Sequence, residues 1–198
     1  MDSRTRLVEA TQDLLWEQGY SATSPKDIMR RSGAGQGSMY HHFTNKQELA
    51  VEALERSAQS MRHDTEKLLA TDGSAYEIAT AYLRRQRDVL KGCRMGRMTF
   101  DADVLNTPEL IEPVTRTFVW LLEALTALFE RGRDQGEFAA DIDARNLASL
   151  VVATVQGGYV LARATRDTDA FDAAVEGAAA LLRKAELPLI TEVSDHSE

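Results

Sequence analysis

Ser24-Pro25-Lys26-Asp27-Ile28-Met29-Arg30-Arg31-Ser32-Gly33-Ala34-Gly35-Gln36-Gly37-Ser38-Met39-Tyr40-His41-His42-Phe43 is the stretch from which the rest of the chain can be read. Ser24 is a helix-capping residue, Pro25 suits a first helical position, and Asp27 complements the positive end of a helix. The helix they open runs out at Ser32-Gly33, and a second short helix covers about residues 36–43. Two short helices across a glycine-containing turn are the pattern of a helix-turn-helix. The second helix of such a unit lies in the major groove of DNA, with its N-terminal residues near base edges.

Outward from this unit the apolar spacing is helical almost throughout, with no strand-type alternation. Upstream, a helix over about residues 3–18 places Leu7, Ala10, Thr11, Leu14 and Leu15 on one face and stops at Gly19-Tyr20. Downstream, Thr44 to Gln47 has the spacing of a capping box and opens a fourth helix that reaches about residue 69. Thr71 to Ser74 breaks it. A fifth helix is predicted over 76–90, a break at Gly92, and a sixth over 95–105. Thr107-Pro108 opens a long seventh, in which Phe118, Leu121, Leu122, Leu125, Leu128 and Phe129 keep i, i+3, i+4 spacing. The eighth covers 143–164 and the ninth 168–185. Each of the four prolines is expected where a helix begins or ends, with Pro188 closing the ordered part. The predicted fold is therefore all-α, with about nine helices. A DNA-binding head with three helices occupies 1–50, a helical ligand-binding and dimerisation domain 51–190, and a loose polar tail 191–198.

The composition is that of a globular protein, with 43% hydrophobic and 27% charged residues. The net charge of −8 looks unfavourable for contact with nucleic acid until it is located. Residues 1–50 hold six cations against six carboxylates, so the whole excess lies in the remainder. Phosphate contact needs only a local cationic surface. No uninterrupted apolar run approaches the roughly 20 residues that cross a bilayer, and Met1 to Arg6 has no signal-peptide character. The single cysteine, Cys93, cannot form an internal disulfide, which fits a reducing cytoplasm. Walker, Gly-x-Gly-x-x-Gly, His-Glu-x-x-His, Gly-x-Ser-x-Gly and Cys-x-x-Cys patterns are all lacking, so the expectation is no enzyme and no cofactor. His41 and His42 are adjacent, point apart on a helix, and lack a nearby ligand at metal spacing; no metal is expected.

The run Ala10, Gly19-Tyr20, Thr23-Ser24, Asp27-Ile28, Gly33, Gly37, Tyr40, His42-Phe43, Lys46 and Leu49 resembles the TetR/AcrR family of transcriptional regulators, without gaps, over about residues 4–54. The resemblance implies a homodimeric repressor that binds a palindromic operator in double-stranded DNA and is released from it by a small-molecule effector. It implies that Thr23, Ser24, Tyr40, His41 and Lys46 touch phosphates or sit beside them. Such contacts set register rather than read sequence. Gly33 permits the turn, Gly37 close approach to DNA, and Gln36 and Ser38 stand on the reading helix, where Gln can pair with adenine. The sequence departs from the family pattern at Ala34 (usually Val), at Gly35-Gln36 (commonly Ser followed by Lys or Arg) and at Met29 (usually Ala). Further on, Gly92-Cys93-Arg94-Met95-Gly96 and Val155-Gln156-Gly157-Gly158-Tyr159 resemble segments of the LmrA/YxaF-like branch.

The last two predicted helices are apolar on more than one face. Leu147, Leu150, Val151, Thr154, Gly158 and Leu161 form one stripe of the eighth, and Ala148, Val152, Val155 and Tyr159 another. The ninth carries Phe171, Ala174, Val175, Ala178, Leu181 and Leu182. One face can meet its own domain and the other a second copy, giving a two-fold four-helix contact; burial of both faces within one monomer is the alternative. An apolar or aromatic effector is expected between the fifth and eighth helices, near Tyr82, Gln86, Met95, Met98, Phe100, Phe118, Leu122, Gln156 and Tyr159. Two other functions stay open from sequence. Cys93, flanked by Lys91 and Arg94, has the surroundings that favour a thiolate sensor of oxidants or electrophiles, although an inert thiol is the commoner case. The chain could also be a helical small-molecule carrier without DNA binding.

Overall fold

The computed structural model describes residues 2–187; the predicted tail and the Pro188 stop lie outside them. Ten helices follow in order: α1 (Ser3–Gln18), α2 (Pro25–Ser32), α3 (Gln36–His42), α4 (Lys46–Leu69), α5 (Ala75–Arg84), α6 (Arg94–Met98), α7 (Ala102–Leu105), α8 (Pro108–Asp134), α9 (Ala144–Thr165) and α10 (Asp169–Ala185). The described residues contain no strand, only an isolated bridge between Phe138 and Glu186.

The head follows from its caps. Asp2 accepts from the Thr5 N–H to start α1. Ser24 and Asp27 form a reciprocal capping box at α2, with Pro25 at its first position. Gly33 then takes a left-handed conformation, φ +67°, which ends α2 at little cost. The capping interaction of α4 sits one residue later than the sequence spacing suggested. Asn45 accepts from the Glu48 N–H, and the Thr44 N–H donates to the Glu48 carboxylate. Leu7, Leu14, Leu15, Ile28, Met39, Phe43, Leu49 and Leu54 close the head core. That core does not stop at the head: Met95, Met98, Val104, Leu110 and Val114 belong to the same cluster. A second cluster, built from α5, α8, α9 and α10, fills the body. The 24-residue α4, about 36 Å long, joins the two.

Three further predictions need correction. The fifth helix ends at Arg84 rather than near residue 90, because Arg87 folds back and donates to the carbonyls of Tyr82, Leu83 and Arg85, holding the chain away from helix. The predicted sixth helix is two, α6 and α7, separated where Asp101 caps the second through the N–H groups of Asp103 and Val104. This split gives ten helices in place of nine. Pro113, expected at a boundary, lies inside α8. Its ring nitrogen cannot donate to the Glu109 carbonyl, the bond its position would otherwise make. The helix continues through it, and the Thr117 hydroxyl donates to the Pro113 carbonyl at 2.6 Å.

Candidate nucleic-acid interface and ligand cleft

Of the seven residues of α3, only Met39 is buried; Gln36, Gly37, Tyr40 and His41 are exposed and Ser38 is half-buried. Tyr40 is 49% exposed, whereas its neighbour Phe43 is 2% exposed in the head core. Among the described residues, nothing lies within 4 Å of where a Gly37 side chain would begin, so this surface is open to an outside molecule. His42 is hydrogen-bonded through Nε2 to the Ser3 hydroxyl at 2.9 Å, which ties α3 to α1.

The other three expected phosphate-side residues are engaged within the head. Thr23 is buried, and its hydroxyl donates to the Gly19 carbonyl at 2.6 Å. Ser24 is committed to the capping box. Lys46 Nζ donates to the carbonyls of Tyr20 and Thr23 at 3.1 and 3.0 Å and lies 3.8 Å from the centre of the Tyr20 ring. Desolvation lowers the Lys46 ammonium from its ordinary value, against the attraction of Asp103 and Asp101. These three hold the α1–α2 turn at the start of α4. They position the exposed face of α3 rather than belong to it. The head's cations divide in the same way. Arg4, Arg30 and Arg31 pair with Glu52, Asp27 and Glu17. Arg6 and Lys26 are exposed and make no ion pair among the described residues. Sequence reading passed over both, because an unpaired cation looks like a paired one until the partners are placed.

The head meets the body at two joints. At the first, the Trp16 indole N–H donates to the Gly92 carbonyl at 2.9 Å, while Arg94 reaches Asp13 and lies over the Trp16 ring. At the second, the Ser21 backbone N–H and hydroxyl both donate to Asp101, and the hydroxyl also lies 2.9 Å from Asp103. The first joint borders an open cleft of ≈ 870 Å³, whose walls include Trp16, Met61, Gln86, Arg87, Cys93, Met95 and Tyr159.

The nine expected effector residues do not converge on one place. Gln86, Met95 and Tyr159 line this cleft. Phe100, Phe118 and Gln156 line a separate pocket of ≈ 380 Å³ between α6, α8 and α9. Tyr82, Met98 and Leu122 border neither; Tyr82 is buried in the body core and Met98 in the head-side core. Phe100 lies past the end of α6 and is 77% exposed. Burial raises the Tyr159 phenol to about 12, with Arg87 pulling the other way. Cys93, half-buried, caps α6 by accepting from the Gly96 N–H at 3.2 Å. Both cations beside it in sequence face the Trp16 ring instead.

The helix-turn-helix and the helical body each match a family model. Residues 7–53 match that of bacterial regulatory proteins of the tetR family, and residues 73–178 match the tetracyclin repressor-like C-terminal domain. The chain belongs to the TetR family. It is a helix-turn-helix transcriptional regulator, of a family whose members bind DNA and small-molecule effectors and dimerise. It is 25% identical over 190 residues to the transcriptional regulator YxaF of Bacillus subtilis, covering 92% of this chain and 96% of that one. It is 24% identical over 174 residues to LmrA of the same organism, covering 84% and 89%. A crystal structure of a TetR-family regulator from Cytophaga hutchinsonii superposes with a TM-score of 0.84 at 21% identity, over 93% of this chain and 95% of that one. These relatives are transcriptional regulators rather than enzymes.

The two segments that carry the LmrA/YxaF-like resemblance meet in space. Gly96 packs so closely on Gln156 that a side chain there would collide with the amide oxygen, and Gly92 lies against Tyr159 and Arg163. Gly92 has a φ of +80°, so the backbone favours glycine at that position. Among the described residues, no group of three or more His, Cys, Asp or Glu is placed to hold a metal ion. One helix, α9, is long and apolar enough by composition to span a bilayer, with a mean hydropathy of 1.3. It packs between α8 and α10.

Proposed function

We propose that this TetR-family regulator is a cytoplasmic homodimeric repressor that grips a palindromic operator through α3 of each copy. Residues 1–50 act as the head and 51–190 as the effector and dimer domain. Gln36 and Ser38 face base edges, Gly37 lets the backbone approach, and Tyr40 and His41 contact phosphates, with Lys26 and Arg6 as further cations at the rim. Thr23, Ser24 and Lys46 lie beside the phosphates and set the angle of the reading helix. The exposed face of α3, where a single residue out of seven is buried, carries the reading.

The second copy packs on α9 and α10. Ala153, Gly157, Val160, Leu161 and Ala164 of α9, with Ala173, Gly177, Ala180 and Leu181 of α10, form an exposed, almost uncharged surface. A small apolar or aromatic effector enters the cleft at Trp16 and Gly92. Because those residues also join head to body, an occupant there favours a different spacing of the two heads. Heads that no longer match successive major grooves release the operator.

Selection of binding sites from a random duplex library, at fixed salt near physiological strength, tests the central claim. The expected result is one palindrome with half-sites about 10 bp, or a multiple of that, apart. Tyr40→Ala is expected to abolish the enrichment while leaving melting temperature and dimer intact. Equal enrichment by wild type and variant would remove Tyr40 from the interface, and no enrichment by folded wild type would favour a carrier that has lost DNA binding.

A further inference from the structure

We propose that the ligand of the Trp16–Tyr159 cleft is an amphipathic carboxylate, its anionic group received by the paired guanidinium groups of Arg85 and Arg87. This rests on the reading of the cleft as the effector site and adds a chemical class to it.

Arg87 sits in an unusual place for a cation. Its two terminal nitrogens are taken by the carbonyls of Tyr82, Leu83 and Arg85 at the end of α5. Its Nε is buried without an acceptor. The guanidinium lies against the rings of Tyr82 and Phe171. Among the described residues no carboxylate pairs with it, and none pairs with Arg85, which donates to the Thr65 hydroxyl and stacks on Tyr82. Ten other arginines do have ion-pair partners among the described residues, among them Arg84 of the same segment, held by Glu176.

An arginine does not shed its proton in a protein, so burial leaves a standing positive charge. The negative end of α5 offsets part of it. Arg85 adds a second charge beside it, and their repulsion, together with burial, works against the Arg87 cation. A carboxylate arriving in the cleft would relieve that repulsion, taking its hydrogen bonds from Arg85, which commits only one terminal nitrogen to Thr65, and its charge balance from Arg87. The four acidic residues on the cleft wall do not provide this relief. Glu9, Asp64 and Asp88 are exposed, Asp88 lies near Lys91, and Asp13 is held by Arg94. The remaining wall (Trp16, Met61, Leu68, Met95 and Tyr159) suits an aromatic or alkyl body.

Calorimetric titration of the full-length protein with 1-naphthoate and octanoate, each beside its neutral primary amide, tests the charge requirement. Each acid is expected to bind at least about tenfold more tightly than its amide. The preference is expected to shrink in Arg85→Gln and in Arg87→Lys, the latter keeping the charge while losing the planar fork. Circular dichroism melting and operator binding confirm that both variants are folded. Equal binding of acid and amide would overturn the anionic class and leave the cleft as an effector site. An acid preference unchanged in both variants would place the anion elsewhere. No binding of any of the four probes would overturn the cleft reading and this inference together.

Discussion

Asp101 acts at the residue scale as both a helix cap and a clasp. It starts α7 and holds Ser21 in the α1–α2 turn, and its Oδ2 lies 2.9 Å from where a Gly19 side chain would begin. Burial pushes its carboxyl up, but hydrogen bonds from Ser21, Val104 and Tyr20 together outweigh burial and hold it below the usual 3.8. A carboxyl with a lowered folded-state pKa stabilises fully above its unfolded value, and the contribution is lost as pH falls through the folded value. Asp101→Asn is therefore expected to cost about 1 kcal/mol at pH 7, discounted for partial exposure. The difference from wild type should narrow below pH 3.8. Urea unfolding at pH 7 and pH 3 checks this, and an equal gap at both would sink the idea. The partner in the head, Ser21, sits eighty residues away in sequence, which is why neither residue drew attention before the fold was in view.

Helix starts in this chain are written in short capping side chains, while one helix end is set by a long side chain that spacing does not announce. Ser24, Asn45, Ser74 and Asp143 each cap with their own side chains. The end of α5 depends instead on one long side chain folding back. The apolar stripes of α9 were also only partly legible. Ala148, Val152, Val155 and Tyr159 are buried in their own domain, and Val151 and Gly158 of the other stripe are buried too. The exposed face is shifted toward Ala153, Gly157 and Val160. Gly158 faces α10, where an added Cβ would sit 2.7 Å from the Phe171 ring; Gly157 faces open space. Gly158→Ala is thus expected to destabilise by about 1–3 kcal/mol through overpacking. Gly157→Ala should leave monomer packing unchanged. A chemical-denaturation midpoint as low for Gly157→Ala as for Gly158→Ala would contradict the assignment of the two faces.

Among the described residues, two cores and an exposed apolar face define the molecule. Leu161 and Leu181 are 51% and 57% exposed on adjacent helices, on a surface with little charge to keep it in water. Joint replacement Leu161→Glu and Leu181→Glu is expected to give a folded monomer by sedimentation equilibrium. Its operator affinity should fall by about two orders of magnitude, since two linked heads bind far more tightly than one. A double variant that stays dimeric would move the interface off α9 and α10. The head core, which recruits Met95, Met98, Val104, Leu110 and Val114, shows that head and body share apolar contacts as well as hydrogen bonds. A displacement of α6 would reach α1 through that packing, and so reach the reading helix.

The sequence alone was enough for the helical class, the helix-turn-helix, its family and the order of its elements, because caps, glycine turns and apolar periodicity act over a few residues. Which of the conspicuous residues stand free was decided only in the tertiary structure. Thr23 and Lys46 are turned inward by carbonyls of the α1–α2 turn, and the expected effector residues fall into separate places. Arg87 is left without a counter-ion among the described residues. Burial and partnership depend on residues brought together from far along the chain, and local spacing carries no record of them.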